Sequence, residues 1–322
     1  MRIVLMKTPT PAVVAAVAAV AAGGILAACS PGAGAQPGAA PLDVLTTVYP
    51  LQYVAERVGG PDVSTTSLTP PGVDAHALEL APHDVAQLDA AGLVLYLSGF
   101  QAAVDDAVEQ TTPDHVLDVA TLPGVAAHLQ GAADAGHAEQ AHDHGHGHDH
   151  GGADPHFWLD PTLLASVADG VAAELAAADP AHAADYRTRA ENLAVELTAL
   201  DEEFSAALEV CESRTLVVAH AAYGFLGERY DLTQVGVSGL DPESEPSPAR
   251  LAEIADVVRQ EGVTTIFAER LVNPAVAETL AGEVGVEVAV LDPLDGRLDQ
   301  TKDYQEIMRD NLQALREGLR CA

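Results

Sequence analysis

The chain has 322 residues, with 48 Asp and Glu against 15 Lys and Arg, for a formal charge of −33. A surface of that sign excludes nucleic acid as a partner, because phosphate binding needs clustered cations, and it raises the local concentration of cations, metal ions included. Hydrophobic residues make up 48% of the chain, many of them Ala and Val, so a real core is available although aromatics are few.

In chain order, Arg2 and Lys7 precede a small-residue apolar stretch that ends in Leu26-Ala27-Ala28-Cys29. Residues 1–28 therefore read as a secretory signal peptide. A cysteine directly after the small residues resembles a lipobox, which predicts cleavage before Cys29 and lipid attachment to it. The alternative, an uncleaved membrane anchor, is disfavoured by the short, alanine-rich stretch. Residues 29–41, rich in Gly, Pro and Ala, form the lipidated flexible tether. The protein is then extracytoplasmic and lipid-anchored to the outer face of the cell membrane.

Short continuous apolar runs follow at 44–48, 63–68, 93–97 and 116–119, and again at 216–219, 234–237, 264–268 and 286–291. Continuous runs bounded by turn residues are the pattern of buried parallel strands. Helical patterns lie between most of them, for example at 51–58, 85–91, 248–260 and 275–283. The fold class is therefore α/β, with two lobes, each a four-stranded mostly parallel sheet flanked by helices. From 181 to about 210 the chain lacks Gly and Pro, and this stretch opens after Asp179-Pro180. Leu193, Leu197, Leu200, Phe204 and Leu208 mark one buried stripe, predicting a long rigid helix that runs past both lobes. A plain helical hairpin with 162–178 is the other reading. The organisation is an N-terminal lobe at 42–161 containing a loop at 130–153, a connecting segment at 162–210, and a C-terminal lobe at 211–322.

That loop holds His137, His142, His144, His146, His148 and His150, the last four alternating with Gly or Asp. Such spacing offers no face to bury. Neutral imidazole is the commonest ligand for zinc, copper and nickel, so the run reads as a solvated, metal-gathering loop. Ligands in open α/β sheets bind at the carboxyl ends of strands, and four further residues fall there or beside the loop. His76 lies in TPPGVDAHALEL, His156 in DPHFWLDP, His220 in LVVAHAAYGF and Asp292 in VAVLDPLDG. Asp295 is a competing carboxylate, and Glu269, in IFAER, is a candidate supporting or auxiliary group. His83, His115, His128 and His182 read as surface residues. Cys211 and Cys321 are the two cysteines left after Cys29. In an exported protein this even remainder predicts a disulfide, which would close a long loop for about 4–5 kcal/mol in the chain-entropy account.

The DAHALEL, DPHFWLDP, VVAHAAYGFL and VLDPL segments, in that order and with the His-rich insertion before the second, resemble the cluster A-I (ZnuA-like) metal-binding lipoproteins of bacterial zinc and manganese ABC importers. The resemblance covers nearly the whole mature chain. It implies one metal ion held between two lobes by His76, His156, His220 and Asp292. It also implies delivery to the permease of an ABC importer with its ATPase, by a monomer. Zinc-type members resemble this chain in having His at the third position, where manganese-type members carry Glu. Three imidazoles and one carboxylate suit tetrahedral Zn2+, whereas Mn2+ prefers a more oxygen-rich shell. Ala75 stands where Pro often precedes the first His. The expected function is zinc capture and delivery without chemistry. A manganese-binding homologue or adhesin and a zinc-buffering protein are the alternatives. A zinc hydrolase would need an open coordination position and a base, and the HExxH arrangement is absent from the sequence.

Overall fold

The computed structural model describes residues 40–129, 153–271 and 273–322. The leader, the Cys29 lipidation position, most of the tether and the six loop histidines lie outside the described residues. In the first half, β1 (Leu42–Thr46), β2 (Val63–Ser67), β3 (Leu93–Tyr96) and β4 (Val116–Asp118) form a parallel sheet in the order β2-β1-β3-β4. The connections carry α1 (Tyr49–Gly59), α2 (Pro82–Ala90) and α3 (Ala102–Gln110). The second half repeats the arrangement. β5 (Thr215–Val218), β6 (Thr233–Gly236), β7 (Thr265–Ala268) and β8 (Glu287–Val290) pair in parallel as β6-β5-β7-β8. Both sheets thus change direction beside their first strand, the position at which doubly wound sheets open a crevice.

The strands form where apolar runs are short and flanked by turns. Val44 and Leu45 of β1, Leu93 to Leu95 in β3 and Leu216 to Val218 in β5 are buried, as sheets covered on both faces require. In the second half, α6 (Gly224–Tyr230), α7 (Pro248–Gln260), α8 (Ala275–Val284) and α9 (Tyr304–Gly318) flank the sheet. Side chains cap two of these helices: Ser247 Oγ accepts the Arg250 N–H before α7, and Asp303 with Glu306 forms a reciprocal capping box before α9.

Between the halves stand α4 (Pro161–Ala178) and α5 (Ala183–Ala207). They pair as a hairpin, and α5 also packs against α1 of the first half and α9 of the second, so the two readings of this segment hold together. At 25 residues, α5 spans about 37 Å. It begins later than Asp179-Pro180 predicts because Pro180–His182 is a single tight turn. Asp179 instead accepts from His182 Nδ1 at 2.6 Å and from the Tyr186 hydroxyl at 2.8 Å. The predicted stripe of Leu193, Leu197, Leu200, Phe204 and Leu208 is fully buried. One continuous core joins that stripe to Val44 and Leu93 of the first sheet and to Leu216, Val218 and Phe267 of the second.

Polar bonds fasten the same helix to both halves. Arg57 of α1 pairs with Glu196 at 2.6 Å, and Gln305 of α9 donates to the same carboxylate at 2.7 Å. Arg229 of α6 donates to Asp201 at 2.7 Å, and Arg309 of α9 to Glu203 at 2.8 Å. Cys211, just past α5, and Cys321, just past α9, form the predicted disulfide across a separation of 110 residues.

Candidate metal centre

Each half sends two loops to one point. His76 follows β2, and its backbone N–H donates to Asp74 Oδ1 at 2.9 Å, an Asx turn. The same turn recurs at His156, whose N–H donates to Asp154 Oδ1 at 2.9 Å while its Nδ1 contacts the same oxygen at 2.7 Å. His220 follows β5, and its Nδ1 lies 2.6 Å from Oε1 of Glu269, which follows the neighbouring strand β7. Asp295 follows β8. A carboxylate can only accept, so the Nδ1 atoms of His156 and His220 must donate, leaving each Nε2 lone pair turned towards the centre.

His76, His156, His220 and Asp295 each offer one ligand atom, and all four atoms lie within 4.8 Å of one another. His76 Nε2 is 3.3 Å from His156 Nε2. The Asp295 oxygens are 3.7 Å from His76 Nε2 and 3.5 Å from His156 Nε2. A zinc tetrahedron with bonds of about 2.0–2.1 Å has edges of roughly 3.3–3.5 Å, so these separations are those of ligands around one ion. His220 Nε2 and Asp295 Oδ1 are buried without a hydrogen-bond partner. Orphaned buried polar atoms are costly, and a shared cation satisfies both.

Electrostatics agree with that reading. Burial opposes protonation of His156, but Asp295 and Asp154 outweigh it and raise the imidazole to about 10. Burial would push Asp295 up, yet His156 and His76 hold it well below the usual carboxylate range. The pocket therefore favours positive charge between these groups. Aromatic rings seal its flank: Phe100 meets His76 edge-on at 4.8 Å, and Trp158 lies 5.4 Å from His156. Trp158 Nε1 also donates to Pro293 O at 2.8 Å, tying the His156 turn to the Asp295 loop.

Asp292, expected as the fourth ligand, is not in this group, and Asp295 takes that place. The cause is local. Asp292 Oδ1 accepts the Leu294 N–H at 2.9 Å, and Asn311 clamps the Asp292 backbone through its N–H and carbonyl. Leu294 then adopts φ +62°, which redirects the chain. Asp292 lines a separate cavity of about 230 Å³ with Arg270, Lys302 and Asp310. Burial, with Asp295 and Glu269 nearby, raises it to about 6.

Glu269 contacts the His220 ring through Oε1. Asp154 was missed, although an Asp two residues before each of His76 and His156 is a legible signal. The other described histidines stay apart: His83 faces solvent beside Asp84, and His182 sits with Asp179 and Asp62.

Residues 44–318 match the family model of zinc-uptake complex component A, periplasmic (ZnuA). The chain is 31% identical over 290 residues to the zinc-binding protein AdcA of Streptococcus pyogenes, which covers 85% of this chain and 55% of that protein. The chain thus spans about half that relative's length. It is also 31% identical to the high-affinity zinc uptake system protein ZnuA of Bacillus subtilis, across 86% of this chain and 88% of that one. The crystal structure of the Zn(II)-bound ZnuA-like domain of Streptococcus pneumoniae AdcA superposes with a TM-score of 0.69 at 25% identity, covering 87% of this chain and 99% of that one. The chain belongs to the ZnuA family.

Proposed function

We propose that the protein captures one Zn2+ between its two lobes and hands it to an ABC permease for high-affinity zinc uptake. The observation that carries the reading is the convergence of three imidazoles and one carboxylate, whose ligand atoms all lie within 4.8 Å of one another, with two of those atoms orphaned. Relatives named for zinc binding and zinc uptake support the same ion. The proposed ligands are His76, His156, His220 and Asp295. Asp154 and Glu269 fix the tautomers of two of them and raise their basicity. Four protein ligands fill a tetrahedron and leave no position for a hydrolytic water, which supports a binding protein over a zinc hydrolase.

The proposal extends to the segments outside the described residues. Residues 1–28 direct export, lipidated Cys29 anchors a monomer to the outer face of the membrane, and the loop histidines collect metal. The test is metal content of the soluble chain lacking residues 1–29. One tightly bound zinc per chain is expected, lost in His220→Ala and retained when 137–150 are deleted. Metal loss on that deletion would instead make the protein a buffer centred on the loop.

A further inference from the structure

Two glycines of the second lobe touch the first lobe, each beside a residue of the metal centre. A Cβ on Gly296, the residue after Asp295, would lie 2.6 Å from Val73 O, in the loop that carries His76. A Cβ on Gly224, four residues after His220, would sit under 3.0 Å from Asp154 Oδ2, whose other oxygen holds His156. Neither glycine has a positive φ, so alanine fits the backbone at both positions and only the space is denied. At Gly296 the obstacle is backbone and cannot rotate away. At Gly224 it is a carboxylate end, but one tied by the bonds from the His156 N–H and Nδ1.

We propose that Gly296 and Gly224 are positioning residues that set the spacing between the lobes, holding the loop of His76 against that of Asp295 and the turn of His156 against that of His220. One methyl group at either place must move a loop by a sizeable fraction of an ångström, and a bond of about 2.0–2.1 Å does not stretch to follow. The spacing is thus built into contacts of the chain itself, a condition for tight and geometrically selective binding. The inference rests on the zinc reading above.

The test compares Gly296→Ala and Gly224→Ala with the parent chain lacking residues 1–29, using zinc calorimetry, Co2+ visible spectra and thermal midpoints with and without zinc. Gly239→Ala and Gly282→Ala are controls, since a Cβ there meets nothing within 4 Å. Gly296→Ala should weaken zinc at least tenfold, reduce the intense Co2+ absorption of a tetrahedral site, and shrink the zinc-induced rise in midpoint, with the zinc-free midpoint little changed. The controls should match the parent. Parent-like affinity and Co2+ spectrum in Gly296→Ala overturn the proposal, as does an equal fall in both midpoints, which marks a purely structural glycine. If Gly296→Ala does not fold, Gly224→Ala decides by the same criteria through His156. A parent chain that takes no zinc defeats the zinc reading itself, and the parent arm separates that failure from the glycines'.

Discussion

Asp292 accepts the Leu294 N–H and faces the cavity around Arg270, while Asp295 is buried against His76 and His156. Asp292→Asn keeps a carbonyl oxygen for that turn and should leave zinc affinity within about threefold. Asp295→Ala removes the only carboxylate of the four-ligand group and should weaken zinc by about 100-fold or more, some 2.7 kcal/mol or above. Isothermal titration of the two variants separates the assignments directly. The sequence displayed both residues but not the difference between them. Asp74-x-His76 and Asp154-x-His156 are Asx turns that present the residue two places on. Asp292-x-Leu294 is the same turn, yet here it presents a leucine in a left-handed conformation, and Asp295 follows one residue later. Position after a strand is legible in a sequence; the direction in which a turn releases the chain is not.

The long helix α5 shows the same division. Its buried stripe is plain in the spacing of Leu193, Leu197, Leu200 and Phe204, and all four are buried. Its outer attachments depend on partners far along the chain and could not be read. The Arg57 hydrogen bonds lower Glu196 below its ordinary value, and those of Arg309 lower Glu203. A depressed carboxylate stabilises the folded state above its unfolded value of 4.5, and that contribution is lost as pH falls through the folded value. Chemical denaturation between pH 6 and pH 3 should therefore show stability falling below about pH 4.5. The Glu196→Gln/Glu203→Gln variant should show a shallower fall. The effect is modest, because both pairs are partly exposed.

At the scale of the whole molecule, the disulfide closes a loop that contains the entire second sheet, from β5 to the end of α9. Replacing both Cys211 and Cys321 by Ser should cost about 2–5 kcal/mol of stability, seen as a lower denaturation midpoint. Zinc affinity should stay unchanged, because neither cysteine is in the ligand group. The four-plus-four strand count and the two lobes were legible because buried parallel strands leave unbroken apolar runs. That a single core runs through both sheets, by way of α4 and α5, was not, since it is a property of packing between segments more than a hundred residues apart.

Trp158 is the only tryptophan in the chain. Its ring is fully buried, lies 5.4 Å from His156, and is hydrogen-bonded to the loop that delivers Asp295. The intrinsic fluorescence of the protein is therefore emitted from the wall of the cleft. An ion bound at His156 alters the immediate surroundings of the indole. Titration with zinc should change the emission and saturate at one equivalent, and Asp295→Ala should flatten the response. The molecule carries its own optical gauge of whether the cleft is loaded, readable without a label.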